Sequence, residues 1–186
     1  MSEDNEIIEK FNVTNFIKKN KIKLSIIFAF FIIIIFSLII FNEIKKNNIT
    51  SMSEKFNKAK ILIDNNKKKD ALDDLIFIIE QNISFYSPSA LNLILEKNLI
   101  TDEKQILLLF DKIIDKTKLD RETKNLFIIK KTFFLGDNIT EANLLKNLNP
   151  IIQSDSIWKN TASDYIKKFY ISRKEFNKAK SFSTNN

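Results

Sequence analysis

The chain of 186 residues has no cysteine, no histidine, one glycine and two prolines. Without cysteine it has no disulfides and no thiolate chemistry, and without histidine it has no imidazole base and no histidine-ligated zinc. One glycine, Gly136, excludes phosphate-binding loops and dinucleotide fingerprints, which need several glycines. The carboxylates left for catalysis, such as Asp102 and Asp120, lie at predicted helix starts, where acidic residues favourably meet the helix dipole. The sequence therefore predicts no enzyme, and no catalytic, cofactor-binding or metal-binding residues.

Lysine supplies most of the formal net charge of +7. It is mixed with asparagine and isoleucine along the whole chain, and all three residues have AT-rich codons. This mixture is typical of an AT-rich genome, so the basicity is weak evidence for a nucleic-acid partner. No arginine cluster and no aromatic–basic RNA motif accompanies it. A solvated lysine-rich surface is favoured, and no nucleic-acid partner is predicted.

One apolar run, residues 24–41 from Leu24 to Phe41, contains no charge, proline or glycine. As a helix it extends about 27 Å, close to the ~30 Å hydrocarbon core of a bilayer. Its leucine, isoleucine and phenylalanine side chains together favour insertion by roughly 5–9 kcal/mol. A soluble core helix usually keeps a polar stripe, and a cleavable signal peptide has a shorter apolar region that ends in small residues. Residues 24–41 are therefore predicted to be a transmembrane helix.

The lysines beside this run predict its orientation. The six residues before it hold four lysines and the six after it hold two, although a window of twenty residues removes the difference. Cytoplasmic flanks carry an excess of lysine and arginine, so residues 1–23 are predicted to be a cytoplasmic tail and the rest of the chain to lie on the opposite side. Within the tail, Ile7, Ile8 and Phe11 share a helical face, which predicts a short helix on the membrane surface.

From residue 49 onward, apolar residues recur at helical spacing between short polar breaks, and no alternating pattern is sustained. The predicted fold class is all-α, with one transmembrane helix followed by antiparallel helix pairs. A juxtamembrane linker is predicted at 42–48, a helical domain at 49–182 and a disordered tail at 183–186. A long stalk is disfavoured because Pro88, Gly136, Pro150 and the polar turns interrupt any sustained heptad.

A spacing of nine residues recurs between a large residue near the end of one helix and an alanine in the next. The three pairs are Leu62 with Ala71, Phe133 with Ala142, and Tyr170 with Ala179. This is the internal spacing of a tetratricopeptide unit, in which the alanine lets two helix backbones approach closely. It favours a tetratricopeptide-like (TPR-like) solenoid over a generic helical bundle.

Aromatic residues cluster towards the end of the chain. Trp158, Tyr165 and Phe169 are candidates for a partner-binding hot spot, because aromatic side chains dominate such sites. At helical spacing, however, aromatic residues more often belong to the core, and the core interpretation is favoured. A solenoid of helix pairs has a concave surface suited to a helix or an extended peptide, which predicts a protein-interaction module.

Two segments, FNKAKILIDNNKKKDALDDL and IWKNTASDYIKKFYISRKEFNKAK, resemble the ancillary Sec-translocon subunit family (YfgM-like). The acidic-then-basic tail around EIIEK and the single apolar run add to the resemblance, which covers nearly the whole chain. It implies a bacterial inner-membrane protein with a periplasmic TPR-like domain, no catalytic residues, and protein partners such as the translocon, periplasmic chaperones or client segments. The expected function is an accessory or chaperone-type factor at the translocon. The alternative is a structural or assembly subunit of another inner-membrane or cell-envelope complex.

Overall fold

The computed structural model describes residues 20–182, and within them the chain is all-helical, as the sequence predicts. The helices are α1 (Lys21–Asp64), α2 (Lys68–Glu80), α3 (Tyr86–Glu96), α4 (Glu103–Lys116), α5 (Arg121–Leu135), α6 (Glu141–Ile152), α7 (Lys159–Ser172) and α8 (Phe176–Ser181), with a short 3-10 helix at Gly136–Asn138. The predicted surface helix around Ile7, Ile8 and Phe11 and the predicted tail at 183–186 lie outside the described residues.

Helix α1 is long and apolar enough to cross a membrane, by length and composition. Its most apolar 18-residue window has a mean hydropathy of 3.2, and none of that window is buried. Ser37, one of the two polar residues of the apolar run at 24–41, donates its hydroxyl to the carbonyl oxygen of Ile33 at 2.8 Å, so this polar group is satisfied within the helix. The helix is continuous through residues 42–48 and ends at Asp64.

The chain divides into two compact units, Met1–Thr50 and Ser51–Asn186. The second unit is called the domain below. Inside it, contacts run between consecutive helices from α2 to α8, and a further contact joins α2 with α4. This order follows from the short connections, because helices joined by a few residues pack as antiparallel neighbours.

Two apolar clusters form the core of the domain. The first includes Met52 and Ala59 at the end of α1 and extends through α2, α3 and α4 to Phe127 of α5. The second begins at Ile129 of α5 and extends through α6 and α7 to Ala179 of α8. Helix α5 therefore contributes to both clusters, and the buried apolar area that stabilises the domain is shared between them.

Acidic residues at helix starts have capping roles. Asp102 begins α4 and accepts a hydrogen bond from the backbone N–H of Lys104 at 2.9 Å. Asp120 begins α5 and accepts one from Thr123 at 3.0 Å, which lowers the pKa of Asp120. Each side chain satisfies a backbone donor that the helix itself leaves unpaired, so its position is explained by helix capping.

The nine-residue pairs differ from one another. Ala71 and Ala179 are both buried, whereas Ala142 is exposed, and the prediction that Ala142 packs at a helix crossing is wrong. The reason is the connection. The short turns at 65–67 and 173–175 lead directly into α2 and α8, but the 3-10 helix at Gly136–Asn138 lengthens the connection before α6. The fully buried residue near the start of α6 is therefore Leu144 and not Ala142.

Candidate functional site

A depression of about 720 Å³ opens on the domain between α3, α4 and α5. Its apolar wall consists of Leu95 from α3, Ile106 and Phe110 from α4, and Phe134 from α5. The phenylalanine rings of Phe110 and Phe134 lie with their centroids 5.9 Å apart, so part of this wall is a packed aromatic pair. The volume is in the range of small-molecule and cofactor pockets, about 300–1,000 Å³.

Lys130 of α5 lies in this depression and is held by a neutral partner. Its Nζ donates to Oδ1 of Asn92 on α3 at 2.8 Å and lies 5.4 Å from the centroid of the Phe127 ring. Burial lowers the pKa of Lys130, because the charged ammonium loses part of its hydration. Within residues 20–182, no carboxylate forms an ion pair with Lys130. Its neighbour in the chain, Lys131, instead pairs with Asp111.

A second depression, of about 400 Å³, lies between α5 and α7. Phe133 lines both depressions and stacks on Tyr165 with ring centroids 4.2 Å apart. The Tyr165 hydroxyl donates to the carbonyl oxygen of Thr132 at 3.3 Å, and burial raises the pKa of Tyr165. Phe133 itself is 43% exposed. The two depressions, which we call the groove, therefore meet at an aromatic pair that is open to solvent on one side.

The three aromatic residues predicted as hot-spot candidates lie at different places in the structure. Tyr165 lies in the groove. Trp158 precedes α7 and is half-buried, and its indole Nε1 donates to the carbonyl oxygen of Glu122 at 3.0 Å. Phe169 is 7% exposed in the second core cluster, with the Arg173 guanidinium 4.0 Å from its ring centroid. Only Tyr165 of these three lines the groove, and Phe133, predicted as a packing residue, joins it there.

The acidic residues with perturbed pKa values have structural partners. Glu122 accepts hydrogen bonds from the Ser156 hydroxyl at 2.6 Å and the Ile157 amide at 3.2 Å, and the first of these is the main cause of its lowered pKa. Glu141 accepts from Lys178 at 2.9 Å and from the Tyr170 hydroxyl at 2.8 Å, and these contacts lower its pKa. Among residues 20–182, no group of His, Cys, Asp or Glu could hold a metal ion. These carboxylates connect helices and do not converge on the groove.

Sequence reasoning missed Lys130 and Asn92. One signal was available, because Phe127, Lys130 and Phe134 fall at i, i+3 and i+7 on one face of α5. A lysine between two phenylalanines on an apolar face is unusual and marks a charge that the fold partly buries. The Asn92 partner carries no such signal, because it lies 38 residues away in the sequence.

Comparisons with protein-family models, curated proteins and solved structures found no match.

Proposed function

We propose that this chain is a single-pass membrane protein whose helical domain binds other proteins, as an accessory factor of the Sec translocon in a bacterial inner membrane. The groove is the observation on which the proposal depends. It presents exposed aromatic surface together with a few polar groups, which is the composition of protein-binding hot spots. The apolar helix would hold this groove near other membrane-bound proteins, and the resemblance of the two chain segments suggests the translocon as the site of action.

The helix order supports a TPR-like solenoid as the scaffold. If α3 with α4, α5 with α6, and α7 with α8 are the repeating pairs, then α3, α5 and α7 are the first helices of each pair. First helices of stacked pairs line one continuous surface in a solenoid. The two depressions lie along these three helices, with α4 adding Ile106 and Phe110 to one wall. The groove then corresponds to the concave binding surface of such a scaffold.

Tethering the domain to the membrane would allow weak contacts in the groove to give stable association. A module confined near the membrane meets other membrane proteins at an effective concentration of about a millimolar, so modest affinity in the groove gives stable association. Four lysines before the apolar run and two after it support a cytoplasmic tail and a periplasmic domain. Client segments that leave the translocon, and periplasmic chaperones, would meet the groove there.

The test is affinity purification of the tagged full-length chain after crosslinking in intact cells. The variant Phe133→Ala removes the exposed ring that joins the two depressions, and we expect it to lower recovery of translocon subunits several-fold. The matched control is Leu108→Ala, since Leu108 is 68% exposed on α4 and does not line either depression. A third chain, with residues 24–41 replaced by an unrelated apolar helix, should keep most of the association.

The outcomes separate the alternatives. Equal recovery from Phe133→Ala and Leu108→Ala would remove the groove from the interaction. Loss of recovery after the replacement of residues 24–41 would assign the contact to side chains of the apolar helix. Enrichment of another envelope complex would identify a structural or assembly subunit. Recovery of no membrane partner, under conditions that keep the translocon intact, would overturn the proposed function.

A further inference from the structure

The folded domain leaves the charge of Lys130 without a counter-charge. Other lysines that connect helices in the described part of the domain form ion pairs with carboxylates. Lys55 reaches Asp74 at 2.8 Å, Lys112 reaches Glu80 at 2.5 Å, and Lys178 reaches Glu141 at 2.9 Å. Lys130 reaches only the amide oxygen of Asn92, at 2.8 Å, although it is half-buried. A shielded ammonium without a carboxylate is the exception in this domain, and it lies in the groove.

Asn92 fixes the position of this ammonium but does not satisfy it. An ammonium group has three donors, and Asn92 accepts one of them. The remaining donors face a depression where part of the hydration has been lost. A carboxylate placed there would gain charge-assisted hydrogen bonds, which are roughly twice as strong as neutral ones. Part of the cost of shielding the lysine from water is already included in the folded state, so an ion pair here loses less lysine hydration than one at a fully exposed lysine.

The acidic residue that lines the depression is already paired. Glu96 also lines it, but its carboxylate lies 2.8 Å from the Nζ of Lys97, and its side chain is 65% exposed. The hydrogen bond from Lys97 also lowers the pKa of Glu96. Glu96 is therefore a solvated and paired group, and the other polar residues that line the depression are Lys130 and the neutral Asn92 and Asn98.

We propose that this depression binds a segment of a partner protein in which one internal aspartate or glutamate meets Lys130, with large apolar side chains on either side of it. The apolar neighbours would contact Leu95, Ile106, Phe110 and Phe134, which form the apolar wall. The acidic residue is internal and not a chain terminus, because Phe133 joins this depression to the second one and the segment has room to continue. The inference rests on the proposed protein-binding function and specifies its ligand.

The test uses the full-length chain in lipid nanodiscs and three pools of synthetic decapeptides. The first pool has a fixed central glutamate, randomised leucine, isoleucine, phenylalanine, serine and asparagine elsewhere, an acetylated start and an amidated end. The second has glutamine at the centre, and the third has central glutamine with a free terminal carboxylate. Retained peptides are quantified by mass spectrometry. We expect the glutamate pool to be retained about tenfold more than the glutamine pool, the effect of one charged hydrogen bond.

Two variants and a control test the contribution of Lys130. Lys130→Met keeps the apolar stem and should reduce retention of the glutamate pool to that of the glutamine pool. Lys124→Met is the matched control, because Lys124 is exposed on the same helix and the net charge changes equally. It should leave retention of every pool unchanged. Thermal unfolding by circular dichroism confirms that each variant is folded, and Lys130→Gln provides a second neutral variant.

Each other outcome contradicts the proposal in a distinct way. Equal retention of the glutamate and glutamine pools, or full retention by Lys130→Met, would overturn recognition of a carboxylate. Preference for the pool with a free terminal carboxylate would overturn the internal position. Retention of no pool would overturn the depression as a peptide site. In all these cases the co-purification of membrane partners decides the proposed function separately, because it does not depend on Lys130.

Discussion

Five described residues have a positive φ, and each follows the end of a helix. They are Asn66, Asn82, Asn98, Gly136 and Lys174, with φ values of 58°, 52°, 47°, 50° and 61°. Left-handed backbone closes the last turn of a helix, and glycine or asparagine adopts it at low cost. Lys174 is the exception, because its side chain gives neither the freedom of glycine nor the local hydrogen bonds of asparagine.

The variant Lys174→Gly should therefore stabilise the domain. Relief of the left-handed conformation is worth about 1 kcal/mol, which corresponds to a rise in melting temperature of about 2–4 °C for a chain of this size. Circular dichroism of the full-length chain in nanodiscs measures it. Lys97→Gly is the control, since Lys97 also ends a helix but has a φ of −93°. A similar gain from both variants would show that strain at Lys174 is not the cause.

Asp74 makes stability depend on acid pH. Asp74 is 9% exposed, and its carboxylate lies 2.8 Å from Lys55 and 3.0 Å from Lys58, both on α1. Burial opposes ionisation, but the two lysines outweigh it and lower the pKa of Asp74 from its ordinary value of 3.8. A lowered pKa gives stability that is present above pH 3.8 and is lost as the pH falls through the folded-state value.

Asp74→Asn should therefore destabilise the domain at neutral pH and lose its effect in acid. Urea unfolding of the full-length chain and the variant should differ most above about pH 5, and the difference should shrink as the pH falls through the folded-state pKa of Asp74. Asp73→Asn is the matched control, because Asp73 is the exposed neighbour on the same helix. A pH-independent difference between the Asp74 variant and the unmodified chain would assign the effect to packing and not to charge.

At the scale of elements, the crossing of α1 and α2 depends on small residues. Ala59 and Ala71 are both fully buried in the first core cluster. The turn between the helices is closed by a hydrogen bond from the Lys67 amide to the Leu62 carbonyl oxygen at 2.8 Å. The turn before α8 has the same bond, from Glu175 to Tyr170 at 2.9 Å. After both turns, the alanine of the second helix is buried.

The variant Ala71→Leu should lower stability by about 1–3 kcal/mol, because the extra side chain overpacks a site without free space. The melting temperature should fall by several degrees. Ala142→Leu is the control, since Ala142 is exposed and leucine and alanine differ little in helix propensity. Equal melting of Ala71→Leu and the unmodified chain would mean that the two helices separate easily at this point.

The sequence predicted the parts of the fold that depend on local pattern. Helical periodicity gave the all-α class, and the nine-residue spacing located Ala71 and Ala179 at buried positions. The same spacing failed at Ala142. It assumes that the turns have equal length, and the 3-10 helix at Gly136–Asn138 makes the connection before α6 longer than the other two. Lys130 and Asn92 were not predicted together, since a contact across 38 residues depends on how three helices stack.

At the scale of the whole molecule, an apolar helix and a helical domain are joined in one chain. The apolar segment is exposed along its most hydrophobic window, which only a bilayer or another protein would shield from water. The domain has its own core and presents the groove. Under the proposed function, anchoring and binding would belong to separate segments, so each could be changed without the other.

The proposed orientation can be tested with single cysteines, because the natural chain has none. Ser2→Cys marks the tail, and Ser84→Cys marks an exposed site of the domain. The lysines before residues 24–41 favour a cytoplasmic tail, since positive flanks are retained on that side. A membrane-impermeant maleimide added to cells with a permeabilised outer membrane should therefore modify Ser84→Cys at once and Ser2→Cys only after lysis.

The unmodified chain gives the background for this labelling, and labelling after detergent lysis shows that both cysteines react when they are reached. The reverse pattern would place the domain in the cytoplasm. The groove would then face cytoplasmic proteins, and a role with periplasmic chaperones or exported client segments would be lost. Reaction of both cysteines before lysis would mean that residues 24–41 do not cross the bilayer. The close-in lysines would then reflect attraction to anionic lipid at the membrane surface.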